Sequence, residues 1–234
     1  MSGESQSILK TEEPSSARLV ATLGLAGLLS GLIIVSVFET TLPAITAYKA
    51  KVLREAVLEV LPGAARMQRL VYRDGGLIVK EKDEKDENAV FGGYDAKGRF
   101  LGYAIPSAGP GFQDTIRLIY GYLPAERRVV GMEILESRET PGLGDKIYKD
   151  SAFVVNFRSL AVDPQIVAVR KGTKSAANEV DAISGATISS KAVVRIINEG
   201  NGRWLGRLPG PDRAPAFQAK KTKTSDKLQG ASEE

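Results

Sequence analysis

Two hydrophobic periods succeed one another along this chain. Leu19 to Phe38 is a run of 20 residues without a charged side chain, bordered by Arg18 and Glu39. A helix of ~20 apolar residues crosses a hydrocarbon core of roughly 30 Å, so residues 19–38 are predicted to form a transmembrane helix. A cleaved secretory signal has a shorter apolar region that ends at a small-residue site. Here the run continues through Ile33-Ile34-Val35-Ser36-Val37-Phe38, which favours a retained span. Thr40-Thr41-Leu42-Pro43 then closes it, with Pro43 suited to the first turn of a new helix. Beyond Ile45, the apolar residues Val52, Leu53, Ala56, Val57, Val60 and Leu61 recur at helical spacing until Pro62-Gly63. They predict an amphipathic connecting helix over residues 39–64.

The period then shortens to that of strands. Gln68–Tyr72, Ala89–Tyr94, Phe100–Ile105, Ile116–Tyr122 and Val129–Leu135 read as strands, with Asp95-Ala96-Lys97-Gly98 as a hairpin turn. A helix over Ser151–Phe157, a strand over Gln165–Arg170 and a helix from Lys191 to Asn198, stopped at Gly200, complete the pattern. Strands first and helices later predict an α+β domain with a mostly antiparallel sheet and packed helices over residues 65–208. Trp204 reads as a packing residue. The Pro-, Lys- and Ser-rich residues 209–234 predict a disordered tail, and residues 1–18 a short N-terminal extension.

Composition narrows the chemistry. The chain has neither Cys nor His, which excludes resident iron–sulfur clusters, the usual structural zinc sites and any Ser-His-Asp or Cys-His centre. Redox chemistry here would come from an organic cofactor. The net charge is +4, but basic residues are scattered. The densest run, Lys80-Glu81-Lys82-Asp83-Glu84-Lys85-Asp86-Glu87, is mixed and reads as an exposed loop; its lysines compete for its carboxylates, so no metal site is expected. No nucleic-acid module is visible, and nucleic acid is not an expected partner. Gly24, Gly27 and Gly31 lie in the span, and Gly27 and Gly31 form a small-xxx-small pair of the kind that lets another helix approach.

Two segments carry candidate chemistry. Asp181-Ala182-Ile183-Ser184-Gly185-Ala186-Thr187-Ile188-Ser189-Ser190 crowds hydroxyls before a helix, whose N-terminal amides and dipole favour an anion. An ordinary Ser/Thr helix cap is the plain alternative. Upstream, Glu139-Thr140-Pro141-Gly142-Leu143-Gly144-Asp145 reads as a tight turn, with Gly142 supplying its φ.

Together, in this order, the segments resemble the covalent-FMN domain shared by Rnf-type electron-transport complexes and Na⁺-pumping quinone reductases. The resemblance implies FMN held through a phosphoester to Thr187, with Ser184 the rival attachment site on chemistry alone. Gly185 and Ala186 would allow close approach, and Ser184, Ser189 and Ser190 would hydrogen-bond around the phosphate. Thr140 and Leu143 would meet the isoalloxazine, Glu139 would anchor their loop, and Pro141, Gly142 and Gly144 would shape it. Gly109-Pro110-Gly111-Phe112-Gln113 lies where the family has a glycine-rich approach. A threonine hydroxyl is a weak nucleophile without a neighbouring base, and Asp181 is the closest preceding acid. The resemblance accordingly implies a separate flavin transferase that recognises Asp181 and the hydroxyl-rich segment after it.

The implied function is an electron relay of the kind supplied by the G subunit of an Rnf-type ion-translocating ferredoxin/NAD complex, not expected to turn over a substrate alone. Its partners would be the membrane and the complex's other membrane and iron–sulfur subunits. The C subunit of a Na⁺-translocating NADH:quinone reductase shares both motifs and stands as the alternative, followed by a non-redox membrane scaffold. Lys10 and Arg18 precede the span while Lys49, Lys51 and Arg54 follow it, a local bias towards a cytoplasmic domain. The resemblance implies the reverse: a single pass through the inner membrane with the flavin domain on the periplasmic side. Large following domains translocate largely regardless of such charges, which favours the second orientation.

Overall fold

A computed structural model describes residues 15–80 and 89–218, so nearly all of the 80–87 charged run lies outside the described residues. The chain forms two compact units, one ending at Ala50 and the other beginning at Lys51.

Helix α1 (Ser16–Val60) holds 45 residues and runs through Pro43. It contains the apolar run, which is long and apolar enough to cross a bilayer. The break expected at Thr40–Pro43 is absent. Pro43 cannot donate to the preceding turn, but hydroxyls take up carbonyls around it: Thr40 Oγ1 donates to Ser36 O, Thr41 Oγ1 to Val37 O, and Thr46 Oγ1 to Leu42 O and Pro43 O. None of these hydroxyls reaches Glu39 O, the carbonyl four residues back that Pro43 leaves open, and the helix continues through the proline nonetheless.

The second unit is built on a seven-stranded antiparallel sheet, ordered β2-β1-β3-β4-β5-β6-β7. Its strands are β1 (Arg66–Arg73), β2 (Gly76–Val79), β3 (Ala89–Tyr94), β4 (Phe100–Pro110), β5 (Thr115–Leu123), β6 (Arg128–Glu136) and β7 (Leu160–Ala161). Short helices α2 (Lys146–Lys149) and α3 (Ser151–Val154) precede β7. A small parallel pair, β8 (Val167–Val169) with β9 (Glu179–Asp181), follows it and leads into α4 (Thr187–Trp204). The architecture is α+β, with the sheet antiparallel throughout and, among the described residues, parallel pairing confined to β8–β9.

Alternation along the strands supplies a core on each face. In β5, Leu118 and Tyr120 join Phe153, Val193, Ile197 and Trp204 in one cluster, while Ile119 joins Val57, Val60 and Leu61 in the other. On the second face the backbone of Val60 lies so close to Gly121 and Gly131 that a Cβ at either would collide with it. Trp204 is buried edge-on to Tyr72, at 6.5 Å between ring centroids, as a packing residue.

Two further sequence expectations need correction. Helix α4 starts at Thr187 rather than Lys191 and passes through Gly200 to Trp204. Gly200 serves close packing, because a Cβ there would lie 2.5 Å from Ser107 Oγ and 2.6 Å from the Tyr120 hydroxyl. The predicted tail also begins too early. Pro209 O accepts from the Tyr103 hydroxyl at 3.0 Å and Pro215 O from the Tyr94 hydroxyl at 2.6 Å. Gln68 bonds Ala216 O and Gln218 N, and Arg66 stacks on Phe217. These contacts hold residues 209–218 against the strands despite their richness in proline.

Candidate functional site

The polypeptide turns sharply into α4. Gly185 has a φ of +82°, which an L side chain resists, and Ala186 follows as N-cap with no side-chain cap. The Ser/Thr-cap reading therefore fails: the capping position holds Ala186, which has no side-chain oxygen to offer. Among the described residues no group accepts from the amides of Thr187, Ile188 and Ser189, while Ser190 N donates to Ala186 O. Three open N–H groups at the positive end of an 18-residue helix form an anion seat. The Thr187 side chain stands exposed beside them.

Opposite lies the turn after β6. Leu143 N and Asp145 N both donate to Thr140 O, and Gly142 takes a φ of +77°. Asp145 is buried and receives the Lys149 ammonium at 2.6 Å; that hydrogen bond holds its carboxyl below the usual range against the opposing cost of burial. The turn and the start of α4 enclose a cavity of about 310 Å³. Thr140, Leu143 and Gly144 line it from one side and Gly185, Ala186, Thr187, Ile188 and Ser189 from the other, with Phe112 at its edge. Phe112, Leu143 and Ile188 are 63%, 50% and 58% exposed, so the cavity has apolar walls with nothing packed on them.

Several residues predicted for the site lie off the lining, and two on it, Thr140 and Ser189, are bonded to groups behind or beside it. Glu139 sits behind the wall, accepting from Phe112 N at 2.9 Å, Gln113 N at 3.0 Å and Ser189 Oγ at 2.5 Å. The Thr140 hydroxyl donates to Gln113 Oε1 at 3.0 Å. Ser190 is fully buried: its hydroxyl accepts from Ile183 N and donates to Ala186 O, so it shapes the turn rather than facing the cavity. Ser184 is exposed, and neither it, Pro141 nor Gly142 lines the cavity. Asp181 accepts from Gly172 N at 2.9 Å and borders a separate recess of about 50 Å³ with Asp150 and Lys171. Phe112 and Ile188 are additions to the predicted set. The glycine-rich Gly109–Gln113 segment was the signal for Phe112; Ile188 had none beyond lying next to Thr187.

An FMN-binding domain family matches residues 111–200, a span that contains both walls of the cavity. The G subunit of the Na⁺-translocating ferredoxin:NAD⁺ oxidoreductase complex of Acetobacterium woodii is 32% identical over 147 residues, covering 60% of this chain and 68% of that protein. The G subunit of the ion-translocating oxidoreductase complex of Haemophilus influenzae is 32% identical over 176 residues, covering 74% of this chain and 82% of the relative. Among solved structures, NqrC of Shewanella oneidensis superposes with a TM-score of 0.56 at 20% identity, over 68% of this chain and 97% of that one. The last likeness establishes the fold.

Proposed function

This chain belongs to the family of G subunits of ion-translocating oxidoreductase complexes, and from that membership we propose how its cavity works within such a complex. The protein is a membrane-anchored flavoprotein that relays electrons through FMN, alongside the other membrane and iron–sulfur subunits. FMN, when bound, supplies the one- and two-electron chemistry, while the chain binds and orients it. The observation that carries this reading is one cavity lined by both motifs, with an exposed threonine hydroxyl and three open amides at one end and apolar walls beyond.

The donor set fits the group. A phosphodiester on Thr187 would carry one negative charge into the N-terminal seat of α4, and Phe112, Leu143 and Ile188 offer apolar surface to a flat ring. Covalent attachment keeps the flavin in a site that has to stay open to redox partners. Among the described residues no side chain is hydrogen-bonded to the Thr187 hydroxyl, and the carboxylates of Glu139 and Asp181 are engaged elsewhere. This favours attachment by a separate flavin transferase, to which the exposed Thr187 is accessible. The chain would pass once through the inner membrane with this domain on the periplasmic side.

Co-expression of the full chain with a flavin transferase tests the proposal. We expect an intact mass raised by one flavin phosphoester and in-gel fluorescence that survives denaturation. Protease added to intact spheroplasts should release the fluorescent domain. An unmodified mass rejects covalent FMN, and protection from the outer face rejects the orientation.

A further inference from the structure

Glu139 lies beneath the cavity, 6% exposed, and does more than anchor its own turn. One oxygen receives two backbone amides of the β4–β5 connection, Phe112 N and Gln113 N, and the other receives Ser189 Oγ from the first turn of α4. The residue itself belongs to the turn after β6. Three segments distant in sequence thus meet on one carboxylate, and each of them contributes to the cavity wall. The chain makes room for it twice. A Cβ on Gly111 would strike Glu139 Oε1, and one on Gly144 would lie 2.7 Å from Glu139 Oε2 and 3.0 Å from Ser189 Oγ.

We propose that Glu139 is a positioning residue that clamps the ring side of the cavity to the attachment helix, and that its negative charge holds the seated flavin at a lower potential. The inference rests on the FMN reading above. Its two halves separate because a glutamine can make the same clamp: its carbonyl takes both amides and its NH₂ reaches the Ser189 hydroxyl. The charge is thus not needed for holding. Its hydrogen-bonding neighbours are two amides and a hydroxyl, so the charge acts, incompletely neutralised and shielded from water, just behind the seat. A negative charge there disfavours the more negative reduced flavin.

The test uses the full-length chain with Glu139→Gln and Glu139→Ala. In protein expressed without transferase, amide exchange at Phe112 and Gln113 should accelerate roughly tenfold or more in Glu139→Ala, from loss of a buried acceptor. It should stay near the wild-type rate in Glu139→Gln. In flavin-loaded protein, Glu139→Gln should titrate at a higher midpoint potential with its melting temperature unchanged. Equal exchange in all three proteins, or exchange in Glu139→Gln as fast as in Glu139→Ala, overturns the clamp. A wild-type midpoint in Glu139→Gln overturns the electrostatic role. Should no variant take up flavin, the FMN reading fails while the exchange arm still decides the clamp.

Discussion

The two walls of the cavity treat their polar groups in opposite ways. Along residues 184–188 they are left open: the side chains of Ser184 and Thr187 are exposed and the amides at the start of α4 have no acceptor among the described residues. Along residues 139–145 they are engaged. Glu139 binds three donors, Thr140 bonds Gln113, and Asp145 holds Lys149. The first amides of any α-helix lack an intrahelical acceptor, and here they open beside the cavity, where an anion could accept from them. Most side-chain bonds of this second wall are made within the protein, although Asp145 Oδ1 is buried without a partner. One side offers open groups to the cavity, and the other is tied down within the protein.

The most direct way to break that contrast is Thr187→Ala. Its hydroxyl has no bond among the described residues, so stability should change by no more than about 0.5 kcal/mol, as for ordinary surface positions. Fluorescence that survives denaturation should disappear completely. A Thr187→Ala protein that still fluoresces in a denaturing gel would move the attachment elsewhere.

Ser190→Ala, three residues along, should behave in the opposite sense. Removing its hydroxyl leaves Ile183 N without its acceptor in a fully buried turn, at a cost of about 1–3 kcal/mol. Urea denaturation should show that loss, while the folded fraction still takes flavin on Thr187. A stable Ser190→Ala protein lacking flavin would place the hydroxyl at the phosphate instead.

These two residues also show where reading the sequence succeeds and stops. The strands from Gln68 to Leu135 were legible because alternation is local and each sheet face is buried. The ends of α4 were not. Gly185-Ala186-Thr187 lacks a capping side chain, and Gly200, which reads as a helix stop, is instead dictated by the neighbouring Ser107 and Tyr120. Strand β2 was missed although Asp74-Gly75 gave a local sign; both residues have positive φ, as a tight hairpin of mirror-image turn type requires. Thr187 and the 139–145 turn could be recognised as motifs. That Phe112 reaches the same cavity depends on a bond to Glu139 across 27 positions, which no local pattern contains.

Acid should loosen the holding wall by a smaller amount than Ser190→Ala. The Lys149 ammonium lowers the Asp145 carboxyl and Asp145 raises the Lys149 amine, so each favours the charged form of the other. A lowered carboxyl stabilises the fold above its unfolded value of about 3.9, and that contribution is lost as pH falls through the folded value. The matching loss on the lysine side comes above about 10.4, as pH rises through the raised folded value. Wild type and Asp145→Asn should therefore differ in melting temperature across neutral pH, begin to converge as pH falls below about 4, and meet only below the lowered folded value. A constant difference down to acid would mean that the pair contributes shape rather than charge.

Ser184→Ala should have the smallest effect, and its smallness is informative. Ser184 offers the same chemistry as Thr187 three residues earlier and is likewise exposed, but it precedes Gly185, outside the cavity lining and before the helix whose amides are open. If exposure and a hydroxyl were sufficient, the two positions would compete for the flavin. If the anion seat selects, only the hydroxyl at the first helical position can present a phosphate to those amides. Ser184→Ala should then keep full flavin stoichiometry by intact mass and a stability within about 0.5 kcal/mol of wild type. A fall in stoichiometry with Thr187 intact would show that the open valences extend back through Gly185, and the open wall would have to be redrawn to begin at Ser184.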